Sequence, residues 1–430
     1  MSASSIAGLH ARRVYDSRGR PTVEVEATLA GGATGRAIAP AGASRGSREA
    51  VDLRDGGSRF GGYDVATAVA NVRGAIAGAL AGMDATDQAA CDARLIALDG
   101  TPAKSRLGGN ATVAVSMALA HAAAAARGLP LWRHLAGDGP VSLPLPEIQI
   151  FGGGAHAGRR VDVQDFMVMP VGAATFADAL TMVAEVYRAA GELLAARDRL
   201  AGVADEGGWW PLFDDNEQAL ALLVQAIERA GYAPGTDVAI SLDIAASEFG
   251  RDGVYALGLE GRKLDRDGMA ALLLGWLDRY PIASIEDPFA EDDAAAWAAF
   301  MAAAGDRVQV IGDDFLVTSA ARVDAAAATR ACNAVLVKPN QAGTLTEARA
   351  AVDAARRHGF ATIVSARSGE TEDVTIAHLA VGWNAGQLKV GAFARGERMA
   401  KWNEVLRIEE ALGKDARFAG AGALAAGRRA

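Results

Sequence analysis

A short apolar run that ends in a charged residue recurs through the second half of the chain, and this pattern limits the folds that the chain can adopt. The runs end at six positions: Asp243, Glu286, Asp313, Lys338, Arg367 and Lys389. Most of the intervals between them carry helical patterns, such as TLTEARAAVDAARRHG at 344–359. Short buried strands that alternate with helices predict a parallel sheet. So many consecutive units favour a closed α/β barrel, in which active sites lie at the carboxyl ends of the strands.

The first part of the chain has a different pattern. Strands and turns are predicted over the first 60 or so residues, including a half-exposed strand at 22–26, where polar and apolar residues alternate. Helical patterns follow from about Asp64 to Leu135. The segment GDGPVSLPLP at 137–146 is rich in Gly and Pro and predicts a boundary between domains at 1–138 and 139–430.

Composition argues against several classes of partner. Hydrophobic residues make up 51% of the 430 residues, and the formal net charge of −9 argues against a nucleic-acid partner. Cys91 and Cys332 are too few for a disulfide framework or a usual zinc site, so we expect a reducing, cytoplasmic location. The uncharged stretch at 111–126 is shorter than the roughly 20 residues that a bilayer requires, and we interpret it as a buried Ala-rich helix rather than a membrane segment.

Three of the strand-end residues are acids. A single Asp or Glu after a strand most often caps the next helix or binds backbone N–H groups. Three carboxylates on neighbouring strands of a barrel would lie within a few ångströms of one another and repel strongly. A hard divalent cation such as Mg²⁺ removes that repulsion. We therefore predict one metal site formed by Asp243, Glu286 and Asp313.

Two further strand-end residues are lysines, Lys338 and Lys389. A surface lysine is the simpler interpretation, but a lysine that ends a buried strand beside a metal is expected to have a lowered pKa and to accept a proton. A proton next to a carboxylate is weakly acidic, and the dianion that its removal leaves needs several positive charges around it. Glu206, in the Gly-flanked loop VADEGGWWP, is a candidate general acid, although a loop carboxylate bonded to backbone is the simpler interpretation of this residue alone.

Long motifs in this sequence resemble those of the enolase (phosphopyruvate hydratase) family, in family order over nearly the whole chain. They include SRGRPTVEVE at 17–26, GASRGSREAVDLRDG at 42–56, LGGNATVAVSMALA at 107–120, ADEGG at 204–208, SIEDPF at 284–289, KPNQAGTLTE at 338–347 and RSGETED at 367–373.

This resemblance implies an enolase-type (β/α)8 TIM barrel with an irregular start, preceded by an α+β capping domain that carries a lid loop at 41–49. It implies two Mg²⁺ ions per active site, one on the three acids and one involving Ser44, with Lys338 as base and Glu206 as acid. It also implies a homodimer or higher homo-oligomer. The expected substrate is a small anionic phosphorylated carboxylate, bound by a set of six residues: His156, Gln164, Asp165, Arg367, Ser368 and Lys389.

The sequence departs from the family pattern at positions expected on or near the substrate pocket. Ala366 replaces a histidine, Asp165 replaces a glutamate, and Gln149 and Gly152 replace two asparagines. Arginines stand where the family has threonine or asparagine, at Arg45, Arg159 and Arg160.

Three functions are therefore compared. The first is a glycolytic lyase that interconverts 2-phosphoglycerate and phosphoenolpyruvate through an ene-diolate. The second is a paralogue that abstracts a proton in the same way from a bulkier phospho- or phosphono-carboxylate in secondary metabolism, which the extra arginines and Ala366 favour. The third is a catalytically silent binding protein, against which the intact acid, base and metal positions argue.

Overall fold

The structure, a computed structural model, describes residues 2–43 and 46–425. The expected second metal ligand, Ser44, and the neighbouring Arg45 lie outside the described residues.

An antiparallel sheet and a group of helices form the first part of the chain. The strands follow the order β1-β2-β3 and are β1 (Ile6–Tyr15), β2 (Pro21–Leu29) and β3 (Thr34–Ile38). The helices are α1 (Ala66–Asn71), a π-helical turn (Val72–Ile76), α2 (Ala77–Leu80), α3 (Gln88–Asp99), α4 (Gly109–Ala126) and α5 (Leu131–Ala136). A 3₁₀ turn (Arg59–Gly62) precedes α1.

The strand predicted at 22–26 is more buried than its alternating pattern indicated. It belongs to β2, the central strand of the sheet, and Thr22, Val23, Glu24 and Val25 are all buried. Arg12 of β1 donates a hydrogen bond to Glu24, and Arg36 of β3 lies 3.7 Å from it. Cross-strand ion pairs, rather than solvent, therefore surround the polar face of β2.

The rest of the chain alternates strands and helices. The strands are β4 (Leu145–Gly152), β5 (Asp165–Met169), β6 (Leu200–Val203), β7 (Trp209–Pro211), β8 (Ala239–Asp243), β9 (Gly250–Arg251), β10 (Val254–Leu257), β11 (Arg262–Asp265), β12 (Ile282–Glu286), β13 (Gln309–Gly312), β14 (Ala334–Val337), β15 (Ala361–Ser365) and β16 (Gly386–Ala392). The helices are α6 (Phe176–Ala195), α7 (Glu217–Arg229), α8 (Arg266–Arg279), α9 (Ala294–Ala304), α10 (Ala320–Thr329), α11 (Pro339–Ala342), α12 (Leu345–Arg357), α13 (Thr375–Gly382) and α14 (Gly396–Leu412). Short 3₁₀ turns occupy Gly154–Ala157, Ala246–Glu248, Gly413–Asp415 and Gly420–Ala423.

Eight of these strands close into a barrel, as predicted. Their order is β4-β5-β8-β12-β13-β14-β15-β16, and β16 pairs with β4 to close the ring. All neighbours are parallel except that β5 is antiparallel to both β4 and β8. The loop between β4 and β5 contains only a single 3₁₀ turn, whereas a parallel return requires a long crossover that is usually a helix. The barrel therefore begins with a hairpin.

The hairpin has a direct consequence for the barrel mouth. Because β5 runs in the opposite direction, its first residue lies at the edge where the other strands end, and Asp165 pairs with Gly152 and with Asp243 in register. The small sheet β11-β10-β9 and the β6–β7 hairpin lie outside the ring, the latter paired with β4.

Helix α4 contains the apolar stretch at 111–126 and packs on β2 and β3. By length and composition alone it passes for a membrane span, but 83% of its 18-residue window is buried inside the protein. The prediction of a buried Ala-rich helix is confirmed. The contact with β3 is very close, since a Cβ added at Gly35 would lie 2.1 Å from the backbone N of Ala122 and 2.3 Å from the carbonyl O of Ala118.

We expect Gly35→Ala to destabilise the protein, because the added methyl group meets helix backbone that cannot rotate away. Overpacking of this kind typically costs about 1–3 kcal/mol. Urea unfolding measures the change in the free energy of unfolding. Gly8→Ala in β1 is the matched control, since no atom lies within 4 Å of its added Cβ. Equal effects of the two substitutions would contradict the close packing of β3 on α4.

Candidate active site

Most of the predicted functional side chains meet in one buried cavity at the carboxyl edge of the barrel. The cavity volume is about 20 Å³. Its lining comes from six parts of the chain: the β4–β5 loop with the start of β5, the β6–β7 loop, the ends of β8, β14 and β15, and β16. The lining residues are His156, Gln164, Asp165, Glu206, Asp243, Lys338, Ser365, Ala366, Arg367, Ser368, Lys389 and Val390.

Lys389 holds the carboxylates of neighbouring strands together. Its Nζ lies 2.8 Å from Asp243 Oδ2, 2.7 Å from Glu286 Oε2 and 3.7 Å from Asp165 Oδ2. Burial lowers the pKa of Lys389, but Asp243 and Glu286 outweigh this effect, so that the pKa lies well above its ordinary value. Gln164 donates a further hydrogen bond of 3.1 Å from Nε2 to Asp243 Oδ2.

Lys338 is fixed on the next strand but one. Its ammonium group donates a hydrogen bond to Asp313, and its backbone N–H donates to Thr318 Oγ1 over 2.9 Å. Burial lowers the pKa of Lys338, whereas Asp313 raises it, and the net result is a raised pKa. In this structure a carboxylate is the direct partner of the ammonium group, and the lowered pKa expected beside a bound metal stays a prediction.

The three predicted metal ligands carry donor atoms that fit a hard divalent cation. Oε1 of Glu286 is buried and lacks a hydrogen-bond partner among the described residues. Burial and the nearby Asp243 raise the pKa of Glu286 well above its ordinary value, which is the effect of crowded like charges. Oxygen donors and an excess of negative charge suit Mg²⁺.

The two lysines divide the three acids between them in this structure. Asp243 and Glu286 bind Lys389, whereas Asp313 binds Lys338 and accepts a hydrogen bond of 2.8 Å from Gln341 Nε2. Among the described residues, two sets of potential metal ligands have their donor atoms within 4.8 Å of one another: Asp287 with Asp313 and Asp314, and His156 with Asp165 and Glu206. The predicted set of Asp243, Glu286 and Asp313 is not one of these two.

His156 links the candidate acid to the substrate-binding residues. Its Nδ1 lies 3.2 Å from Asp165 Oδ1, and its Nε2 lies 3.0 Å from Ser368 Oγ and 3.8 Å from Glu206 Oε1. Burial lowers the pKa of His156, but Glu206 and Asp165 raise it to about 9. Burial raises the pKa of Asp165, whereas His156 lowers it to about 2. The imidazole is therefore a cation at neutral pH.

Arg367 is held by a residue of the lid loop. Its Nη1 lies 2.9 Å from Glu49 Oε2 and 3.2 Å from Asn340 Oδ1, and its Nη2 lies 3.3 Å from Glu49 Oε1. The planar fork of a guanidinium group fits a carboxylate or a phosphoryl group equally well. Glu49 thus occupies the side of Arg367 that an anionic ligand would use.

The departures from the family pattern lie in different surroundings. Ala366 is buried and lines the cavity. Arg159 is exposed and forms a 2.7 Å ion pair with Glu248, and Arg160 is also exposed. Within the described part of the chain neither arginine lines the cavity, so the expectation of a place on the substrate pocket is not met for these two residues.

Sequence reasoning missed several buried residues of this region. Arg398 of α14 donates hydrogen bonds to the carbonyl groups of Arg367 and Ser368, and Asp287 accepts hydrogen bonds from the backbone N–H groups of Asp313 and Asp314. Both residues fix the loops that carry candidate ligands. Neither residue ends an apolar run, because Arg398 lies within a helix and Asp287 follows another acid, Glu286. The pattern of charged residues at strand ends therefore could not identify them.

Glu147 was also missed, although an acid inside the apolar run LPLPEIQIF is a signal in itself. It is fully buried in β4 and accepts a 3.0 Å hydrogen bond from Ser241 Oγ. Its Oε1 has no hydrogen-bond partner in the described part of the chain, and burial raises its pKa to about 7.

Known proteins match the sequence of this chain over nearly its whole length. The family model for the enolase N-terminal domain matches residues 6–135, and the model for the enolase C-terminal TIM barrel domain matches residues 140–426. A curated protein of Desulfitobacterium hafniense (strain Y51), named Enolase 1, is 49% identical over 429 residues, which are 99% of this chain and 98% of that protein.

The opposite pKa shifts of two candidate ligands predict opposite effects on stability in chelator-treated protein. Because the pKa of Glu286 is raised on folding, the wild-type protein loses stability as pH rises from the ordinary carboxyl range towards the folded pKa. Glu286→Gln removes this loss, and we expect it to raise the free energy of unfolding by about 1 kcal/mol at pH 8. The gain should shrink as pH falls and the wild-type carboxyl group becomes protonated.

Asp313→Asn is the matched comparison. Burial raises the pKa of Asp313, but Lys338 outweighs it and lowers the pKa, so this carboxylate stabilises the fold above the ordinary carboxyl range. Its loss leaves Lys338 without a charged partner and should cost about 3 kcal/mol at pH 8, with a smaller cost in acid. Urea unfolding between pH 5 and pH 8.5 measures both variants. A destabilising effect of Glu286→Gln equal to that of Asp313→Asn would contradict this account of the two acids.

Proposed function

The chain belongs to the enolase family and is a lyase of the phosphopyruvate hydratase type, and we propose that it interconverts 2-phosphoglycerate and phosphoenolpyruvate with Mg²⁺. The observation that carries this proposal is one buried cavity lined by Lys338, Glu206 and Arg367 together. A base, an acid and a phosphoryl-binding fork are the groups that this elimination requires.

Lys338 is the proposed base that removes the proton next to the substrate carboxylate. Its position is fixed from two sides, through Asp313 at its ammonium group and Thr318 at its backbone. Mg²⁺ bound by Asp243, Glu286 and Asp313 would supply positive charge for the growing negative charge of the substrate carboxylate. Lys389 adds a further positive charge beside the same acids.

Glu206 is the proposed acid that protonates the leaving hydroxyl group. Its loop is anchored at several backbone atoms: the carbonyl O of Glu206 accepts a 2.9 Å hydrogen bond from Ala392 N, and the carbonyl O of Gly207 accepts a 2.8 Å hydrogen bond from Tyr187 Oη. A proton donor held in this way needs little reorganisation when the hydroxyl group leaves.

The substrate's phosphoryl group is proposed to bind Arg367 and Ser368, with His156, Gln164, Asp165 and Lys389 around the rest of the molecule. Arg367 supplies paired N–H donors, and the charged imidazole of His156 lies 3.0 Å from Ser368 Oγ. The positive charges of Arg367, His156 and Lys389 suit a small anionic phosphorylated carboxylate.

We also propose the domain organisation of the chain from its membership of the family. The two family-model matches end at 135 and begin at 140, which supports a capping domain at 1–138 and a barrel domain at 139–430. Family membership also supports a homodimer or higher homo-oligomer, a cytoplasmic location, and a second Mg²⁺ that involves Ser44 of the lid loop.

Base and acid should be separable by experiment. We expect Lys338→Ala to stop exchange of the substrate's α-proton with solvent, because no base remains, whereas Glu206→Gln should block loss of hydroxide and leave exchange partly intact. Each substitution should lower turnover by about 10²–10⁴-fold. Exchange is followed by NMR in D₂O and elimination by the absorbance of the enol product.

The exposed residues Lys263 and Glu228 provide matched controls, and Lys263→Ala and Glu228→Gln should change neither rate. Exchange at the full rate in Lys338→Ala would move the base to another residue. Absence of any turnover of 2-phosphoglycerate by the wild-type protein with Mg²⁺ would overturn the proposed function.

Ala366 carries a second candidate function, the use of a bulkier phospho- or phosphono-carboxylate. A methyl group lines the cavity where the resemblance predicts an imidazole, and it fills less space at this point than an imidazole would. On this hypothesis Ala366→His raises kcat/KM for 2-phosphoglycerate by about tenfold. Wild-type kcat/KM for 2-phosphoglycerate of about 10⁵ M⁻¹s⁻¹ or more, within the ordinary enzyme range, would exclude it.

A further inference from the structure

Gln149 connects Asp165 of β5 with the β6–β7 loop, which carries the candidate acid Glu206 and is called the acid loop below. The residue lies in β4 with no exposed surface, and both ends of its carboxamide have partners. Nε2 donates a hydrogen bond to Asp165 Oδ1, and Oε1 accepts a 2.8 Å hydrogen bond from the backbone N–H of Gly208. Asp165 binds His156, and Gly208 closes the loop that carries Glu206.

The carboxamide of Gln149 is closely packed. A Cβ added at Gly208 would lie 2.4 Å from Gln149 Oε1, and a Cβ added at Gly152 would lie 2.4 Å from Ala204 Cβ. β4 and the acid loop therefore approach each other as closely as glycine allows. The length of the Gln149 side chain determines how far Asp165 lies from the acid loop.

The lengths of Gln149 and Asp165 are complementary. Gln149 of β4 donates to Asp165 of β5, so the two side chains together span the distance between these strands. Replacing them by asparagine and glutamate would move one methylene group from one partner to the other and keep the total length of this bridge. Either change alone would stretch or crowd the buried contact.

We propose that Gln149 is a positioning residue for the acid, and that its length is matched to the short side chain of Asp165. By holding Asp165 and Gly208 at a set separation, Gln149 places the imidazole of His156 against the carboxylate of Glu206. The contact between His156 Nε2 and Glu206 Oε1, 3.8 Å, is the one that this separation controls. The base is independent of it, because Lys338 is held by Asp313 and Thr318.

A set of four variants tests the proposal, which rests on the proposed function for the role of Glu206. Gln149→Asn should lower kcat for elimination by about tenfold or more, with KM and α-proton exchange within about twofold of wild type, because a displaced acid affects only the later step. Asp165→Glu alone should also lower kcat. The double variant Gln149→Asn/Asp165→Glu should recover to within about threefold of wild type, since the bridge regains its length.

Gln387→Asn is the matched control. Gln387 of β16 is equally buried and also bonded at its carboxamide, to Gln309 and to the carbonyl O of Ala423, but neither partner lines the cavity in the described part of the chain. It should lower the free energy of unfolding while leaving kcat and exchange unchanged. This control separates loss of a buried hydrogen bond from loss of position.

Three outcomes would overturn the proposal: equal losses of exchange and elimination in Gln149→Asn, a loss of stability only, or a double variant worse than either single variant. A further readout does not depend on activity. The double-mutant cycle in the free energy of unfolding should show favourable coupling between positions 149 and 165, and the NMR signals of the His156 ring should shift in each single variant and return in the double variant. Inactivity of the wild-type protein on 2-phosphoglycerate would overturn the proposed function. Zero coupling between positions 149 and 165 would instead overturn the proposal that the lengths of these two side chains are matched.

Discussion

Lys389 lies among the carboxylates of Asp165, Asp243 and Glu286, and the ion pairs that it forms allow four barrel strands to meet at one edge. Buried acids this close would otherwise repel one another or take up protons, as the raised pKa of Glu286 indicates. Lys338 does the same for Asp313. A divalent cation held by Asp243, Glu286 and Asp313 would take the place of the lysines as partner of these oxygens, and a lysine without its carboxylate partner would have a lower pKa. The raised pKa of Lys338 beside Asp313 is therefore compatible with its proposed role as a base.

The sequence was most informative where the chain follows a regular rule. A parallel strand of the barrel ends at the mouth, so a charged residue at the end of an apolar run belongs to the mouth, and Asp243 and Lys338 obey this rule. Lys389 also lines the cavity, but the prediction that its strand ends there is wrong, because β16 continues to Ala392. Glu49 and Arg398 could not be found in this way, because they reach the site from a loop of the first domain and from a helix. The side-chain direction of Arg159 depends on Glu248, far away in sequence, and no local pattern contains that information.

The hairpin at the start of the barrel explains another part of the site. At β5 the polar residues Gln164, just before the strand, and Asp165, its first residue, precede the apolar run. This order is the reverse of the other strands, and only the antiparallel direction places these residues at the mouth. The resemblance to the enolase family identified them before the strand pattern did. The same hairpin brings Gln149 of β4 opposite β5 and beside the β6–β7 loop, so that the acid, the imidazole and their supporting carboxamide all come from one continuous stretch of chain, residues 149–208.

The ion pair between Arg367 and Glu49 would make Glu49 an intramolecular competitor of an anionic ligand at this guanidinium group. Glu49 is tethered near the guanidinium group and is therefore present at a high effective concentration, which no weakly charged solute in solution matches. An anion gains access to Arg367 only if its interaction with the whole set of cations exceeds that of one carboxylate. A doubly charged phosphoryl group meets this threshold more readily than a simple carboxylic acid does. If the chain binds a phosphorylated carboxylate as proposed, Glu49 would favour that ligand over a simple carboxylic acid without touching either.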